Sequence, residues 1–210
     1  MKMKRVITLM LFLLAFATQA QDVDRKDPYQ MIVTVADKSF ERLRQDQSLI
    51  EQDPNHLKTV VEEELLPYVN YRYSALKLLG SEVKKNPRED VLAFIEAFKD
   101  YMVTSYAQIL TQYSEQQVQF GAPPQVAESD RITGVKVTIL DAPNPNILLE
   151  FKLRKEKSGD WAAFDIIAEG VSLLSSKQSE WLGEVRRQGL PAVTKELARQ
   201  AQLPVQKAAN

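Results

Sequence analysis

The chain contains no cysteine and a single histidine, His56. The first absence excludes a disulfide framework, a thiol nucleophile, a Cys-ligated zinc or iron–sulfur site and a lipid-anchored lipoprotein cysteine. The second excludes a multi-histidine metal site and leaves His56 as the one residue able to serve a His-dependent triad. Charge of one sign is also missing: 27 Lys+Arg stand against 28 Asp+Glu, a formal −1, which gives no footing for a general nucleic-acid binder. No GxGxxG, P-loop, GxSxG or HExxH occurs. What remains, 44% hydrophobic and 26% charged over 210 residues, is the composition of a soluble globular protein.

The one long apolar run sits at the start. Lys2, Lys4 and Arg5 precede Val6–Ala17, and Thr18-Gln19-Ala20 supplies small residues before Gln21. That is the order of a secretory signal, expected to be cut near Ala20. The run is too short for a bilayer span, which takes about 20 apolar residues. Its removal leaves 24 Lys+Arg against 28 Asp+Glu, so the mature chain is mildly acidic. An exported, cysteine-free, unanchored chain suits a bacterial periplasm.

Beyond residue 20 the expectation is a single domain over 21–203 with a flexible tail over 204–210. Asp27-Pro28 and Asp53-Pro54 open helices, a short helix spans Tyr68–Leu79 up to Gly80, and Asn86-Pro87-Arg88-Glu89 launches the longest, to about Gln112. Along it Val91, Phe94/Ile95, Phe98, Tyr101/Met102, Tyr106 and Ile109 recur at helical spacing. The period then drops to two: Val118 and Phe120; Val135, Val137 and Ile139; Ile147, Leu149, Phe151 and Leu153. These read as half-buried antiparallel strands, with Trp161–Ala168 as an inner strand. Ser172–Arg187 and Leu190–Gln202 close the chain as helices. The class is α+β: helices, a long one among them, on a four-stranded antiparallel sheet.

Chemistry-bearing residues are few. His56 sits in a first helical turn and reads as an ordinary surface residue. Asp165 interrupts the apolar Phe164–Ile167 strand; it is a candidate general acid or base in a sheet-lined cavity, or a carboxylate bonded to backbone amides or to an Arg, the commoner use. Glu62-Glu63-Glu64 splays around a helix and reads as a solvated face. Lys152, Arg154, Lys155 and Lys157 crowd one strand end; they suit a solvated sheet face first, phosphate head groups or an acidic partner second. Apolar supply is plentiful by contrast. A helix stripe opposed to a sheet face fits a filled core more often than a ligand cavity, and the pattern admits both.

Trp161-Ala-Ala-Phe-Asp165-Ile-Ile-Ala-Glu169-Gly170-Val171-Ser172-Leu173 resembles the signature of the MlaC family of periplasmic phospholipid-binding proteins, also known as toluene-tolerance or ABC-transporter auxiliary components. Upstream, Leu66-Pro67-Tyr68-Val69-Asn70-Tyr71, then Ala75, Leu79-Gly80 and the Phe94, Phe98, Tyr106 and Leu110 framework agree in order and spacing, so the likeness runs from about Pro28 to Leu197. One departure stands out: Lys177-Gln178 replaces the family's usual Tyr-Arg pair, while Trp181 keeps the following aromatic position.

The resemblance implies a monomeric carrier of diacyl phospholipid, without catalytic residues, metal or cofactor, that maintains outer-membrane lipid asymmetry. It implies two partners: an inner-membrane ABC transporter complex with an MCE-domain protein, and an outer-membrane lipoprotein–porin complex. It also implies an apolar tail cavity. Its expected lining takes Leu76, Phe94, Phe98, Tyr101, Met102 and Tyr106 from the helices. The sheet contributes Val137, Ile139, Leu149, Phe151, Phe164 and Ile166, and the segment after it Val171, Leu174 and Trp181. The competing reading is an exported enzyme on an NTF2-like cone scaffold, with Asp165 as general base on a small hydrophobic substrate.

Overall fold

The structure is a computed structural model that describes residues 23–112 and 116–207; the expected export segment lies outside the described residues. Helix α1 (Pro28–Gln45) starts where the Asp27 carboxylate accepts the Tyr29 and Gln30 amides, with Pro28 in the first turn. Its buried face is Met31, Ile32, Val35, Ser39 and Leu43, with Arg42 and Arg44 in the last turn, where positive charge favours the helix dipole. Helix α2 (Gln47–Gln52) buries nothing. Helix α3 (His56–Val60) runs into a π-helical turn, Val61–Leu65, and Leu66–Tyr68 tightens around Pro67. The three successive glutamates are thus not all left to solvent: Arg42 bonds Glu63 (2.8 Å) and Glu64 (3.4 Å), tying α1 to the π turn.

Helix α4 (Tyr71–Leu79) begins three residues later than the sequence pattern suggests, because the Asn70 side chain caps it by accepting the Tyr73 amide. It ends at Gly80, whose φ of +53° favours glycine. The longest helix, α5 (Arg88–Leu110), is followed after the β strands by α6 (Leu173–Gln188) and α7 (Leu190–Ala201), parted by Gly189 at φ +85°.

Among the described residues five antiparallel strands, in spatial order as in sequence, form the sheet: β1 (Gln117–Phe120), β2 (Ile132–Leu140), β3 (Ile147–Lys155), β4 (Trp161–Ala168) and β5 (Val171–Ser172). The α+β class is as expected, but the sheet has one strand more than four. β5 is two residues long, too short to show a period, and forms because Glu169 (φ +49°) and Gly170 (φ +79°) fold the chain back on β4. The inner strands are β2, β3 and, as expected of Trp161–Ala168, β4; β4 meets β5 at Ile167 and Ala168, and elsewhere its outer edge is met by Val69 and by the Asn70 amide at Ala163.

Residues paired across antiparallel strands share a face. One face therefore carries Phe120–Val137–Leu149–Ala168 in one row and Val135–Phe151–Ile166 in the next; the other carries Lys136–Glu150–Ile167 and Gly134–Lys152–Asp165. Between Lys152 and Leu153 the register shifts and Phe164 is left without a β3 partner, a bulge that redirects it.

The apolar residues gather in three clusters. Helices α4 to α7 enclose Phe94, Ile95, Phe98, Met102, Trp181 and Leu197, joined by the bulged Phe164. Met31, Ile32 and Val35 of α1 pack on Val135, Val137, Leu153 and Trp161 of the sheet. Leu43, Val60, Val103 and Val205 form the third, where the tail docks. The long helix packs chiefly along α7, with α4 and α3 beside it, whereas α1 covers β2 and β4. Buried positions occur around much of its circumference, Val91, Phe94, Ile95, Ala97, Phe98, Met102, Val103 and Ala107, so it needs neighbours on several sides. The expected frayed tail is instead held as far as Lys207: Val205 is buried, its amide bonds Asn55, and Gln206 bonds Gln108.

Candidate functional site

Asp165 is bound at the junction of β4 and α6. Its Oδ1 accepts the Ile166 amide at 2.8 Å and the Leu174 amide at 3.0 Å, and its Oδ2 accepts the Ser172 hydroxyl at 2.6 Å. Ser172 in turn caps α6 by accepting the Ser175 amide. Glu169 completes the turn: its carboxylate accepts the Leu148 amide at 2.6 Å. The signature residues Asp165, Glu169, Gly170 and Ser172 thus build a strand–turn–helix joint, and the carboxylate is used as the sequence pattern most often uses one there. Among the described residues no group of three or more His, Asp and Glu is placed to hold a metal.

His56, in the first turn of α3, donates to Asp46, whose other neighbour is Arg42 at 2.5 Å. The His56 hydrogen bond, with Arg42 adding, holds the Asp46 carboxyl below its usual range against the opposing effect of burial. Half-buried rather than freely exposed, His56 joins α3 to the end of α1.

The fifteen apolar residues expected around a cavity do not form one shell. Phe94, Phe98, Met102, Phe164, Leu174 and Trp181 are buried within the helical cluster, with Leu76, Tyr101 and Tyr106 at its margin. Phe94 stacks on Phe98 (6.3 Å between ring centroids), and Trp181 meets Phe98 (6.2 Å) and Tyr101 (5.1 Å) edge-on. Val137 is buried in the sheet cluster, with Leu149 and Phe151 at its margin. Ile139 and Ile166 are half-buried and belong to neither, and Val171, 56% exposed, lies on the surface. Tyr71, Tyr73 and Tyr68, not anticipated from periodicity, join these margins because the turns around Pro67 and Asn70 hold them there.

Apolar side chains that remain half-buried thus come from both the helical layer and the sheet. Tyr106 of α5 has a particular place among them. Burial pushes its hydroxyl up to about 12, and the Asp165 charge adds to the rise. Yet the residue keeps accessible surface.

Gln178 shows what the altered pair does. Its amide donates to the Lys77 and Leu78 carbonyls at 2.8 and 3.0 Å, satisfying the C-terminal end of α4, which has no intrahelical donors left for them. Lys177 lies 5.6 Å over the Trp181 ring and pairs with Glu180. The Gln178 bonds tie α6 to the end of α4, whereas these two Lys177 contacts run along α6 itself.

A model of the MlaC protein family matches residues 33–199. The intermembrane phospholipid transport system binding protein MlaC of Haemophilus influenzae is 35% identical over 207 residues, covering 97% of this chain and 96% of that protein. A solved structure of a phospholipid-binding protein from Ralstonia solanacearum, in complex with a phospholipid, superposes with a TM-score of 0.73 at 18% identity, over 83% of this chain and 97% of that one. At that identity the likeness speaks for the fold. The family match and the near full-length relative together place the chain in the MlaC family.

Proposed function

We propose that this protein is a soluble periplasmic phospholipid carrier, holding acyl chains between its helical layer and its sheet. The observation that carries the reading is the apolar side chains left half-buried on both sides: Leu76, Tyr101 and Tyr106 on the helices, Ile139, Leu149, Phe151 and Ile166 on the sheet. Lifting a diacyl lipid from a membrane exposes chain at about 0.8 kcal/mol per methylene, on the order of 20 kcal/mol for two long tails. A carrier must replace most of that burial with apolar wall, and no nucleophile or metal enters the task. Among the described residues no helix is long and apolar enough to cross a membrane. The phospholipid transport system to which the Haemophilus relative belongs and the phospholipid in the Ralstonia structure support the same cargo.

Its exchange partners, on this reading, are those implied by the family: an MCE-domain ABC transporter complex at the inner membrane and a lipoprotein–porin complex at the outer. The wall comprises the half-buried residues, while Phe94, Phe98, Phe164, Leu174 and Trp181 support it from behind. Native mass spectrometry of gently purified protein tests the cargo. A mass increment of one or more diacyl phospholipids, regained by stripped protein from vesicles, is expected; a chain that neither carries nor regains lipid sinks the proposal.

A further inference from the structure

At one end of the sheet a groove of about 670 Å³ opens between the start of α4 and the β3–β4 turn, lined by Asn70, Arg72, Tyr73, Leu76, Arg131 and residues 154–157. Its charge is lopsided. Arg72, Arg131, Arg154 and Lys157 have no ion-pair partner among the described residues, and Lys155 leans on the Trp161 ring and the Glu128 carbonyl. The one acid, Glu156, is already engaged by Arg25 at 3.4 Å and by the Asn70 amide group at 2.9 Å.

The groove is also built rigidly. The Arg154 guanidinium stacks 4.4 Å from the Tyr73 ring centre, and Tyr73 is held edge-on by Phe164 at 5.1 Å. Stacking fixes the guanidinium plane while leaving its N–H edges, which lie in that plane, free to donate. The walls are stitched by backbone: Asn70 N–H to Ala163 O (2.7 Å) joins α4 to β4, and Lys155 N–H to Arg131 O (2.9 Å) joins β3 to the start of β2. Like charges converging on a concave wall focus a positive potential into it. Tyr73 and Leu76 meanwhile belong to both the groove and the margin of the helical cluster, so the floor is apolar where the rim is cationic.

We propose that this groove binds a phosphate-ester anion, with Arg154 as the fixed donor, Arg72, Arg131 and Lys157 as the surrounding charges, and Leu76 and Tyr73 under the carbon skeleton. The inference builds on the carrier reading in one respect: the head group of a glycerophospholipid cargo is the anion expected there, free soluble phosphate esters being the other source of the same chemistry.

The test has two arms on stripped full-length protein. In the first, sn-glycerol 3-phosphate and inorganic phosphate are titrated by NMR, with expected shifts at Tyr73 and the Arg154 Nε–H. Arg154→Gln weakens binding about tenfold, and Arg131→Gln with Lys157→Gln, both exposed and harmless to the fold, weakens it by a similar factor. In the second, uptake from mixed phosphatidylglycerol and phosphatidylcholine vesicles is measured. A head-group site predicts a preference for phosphatidylglycerol that the substitutions abolish at unchanged total lipid. Soluble-anion binding with uptake indifferent to the substitutions assigns the groove to free phosphate esters. Absence of NMR shifts in the wild type, or shifts that persist undiminished in the variants, overturns the anion site whether or not the protein carries lipid. Lipid carriage failing while the anion titration succeeds overturns the carrier reading alone.

Discussion

Phe94, Phe98 and Trp181 retain 0, 7 and 6% of their surface, while Leu149, Phe151, Ile139 and Ile166 stay half-buried, although both sets are apolar residues at regular spacing. The difference lies in what each set meets. The α5 aromatics are enclosed by α4, α6 and α7 and by one another's rings, with the bulged Phe164 filling in from β4. The sheet residues have α1 over part of their face, around Val135, Leu153 and Trp161, and fewer apolar neighbours toward Ile139 and Ile166. A core is apolar surface that has found its complement. A container is apolar surface still short of one, and its ligand supplies the rest.

The sharpest break of that comparison is Phe94→Ala. In a filled cluster the truncation leaves a cavity and costs about 3–5 kcal/mol in chemical denaturation, with lipid per folded molecule unchanged. A cost below about 1 kcal/mol places the hollow among the helices instead. Next in size is Asp165→Asn, which weakens a carboxylate holding two amides and a hydroxyl. A loss of about 1–3 kcal/mol is expected, with lipid uptake retained by the folded fraction. Loss of uptake without loss of stability would give Asp165 a functional role that its bonds at the β4–α6 joint do not suggest.

Filling the other side comes third. Ile166→Phe adds volume to the half-buried row beside Phe151. Overpacking a dense core costs about 1–3 kcal/mol, whereas adding a ring to an open wall changes stability by less than about 1 kcal/mol. The expected pair of results is near-wild-type denaturation and a several-fold fall in bound lipid by native mass spectrometry. A penalty near the upper figure with lipid unaffected means that the sheet side is as full as the helical one.

The periodicities that position these layers are legible in the chain. Trp161–Ala168 forms β4 with the anticipated bounds, Asp27-Pro28 opens α1, and alternation in β2 and β3 names the apolar face. Periodicity says which face is apolar but not which neighbour will cover it. The pairing of α5 with α7 rather than the sheet depends on the bulge at Phe164 and on the turn at Gly189, neither of which has a periodic signature. The basic groove is hidden for a related reason. Only Arg154, Lys155 and Lys157 are near in sequence; Arg72 arrives with the Asn70 cap and Arg131 with the start of β2. Gln178, a departure when set against the family pattern, proves to be a clamp on the end of α4, visible only once α4 and α6 lie together.

The smallest effect, and the most local probe of the space between the layers, is Tyr106→Phe. At neutral pH the two proteins should denature alike, since the phenol is un-ionised in both folded and unfolded chains. The folded pKa is pushed up to about 12, above the value near 10 of an exposed tyrosine. A raised folded pKa means stability that is complete below the unfolded value and lost as pH climbs from about 10 to about 12, because the unfolded chain ionises first. The wild type should therefore lose more stability than Tyr106→Phe between about pH 8 and about pH 11, the remaining tyrosines contributing equally to both. If bound phospholipid covers the hydroxyl, the loss begins at higher pH in loaded than in stripped protein. Equal alkaline profiles for wild type and variant would put Tyr106 in contact with bulk water and remove it from the cavity wall.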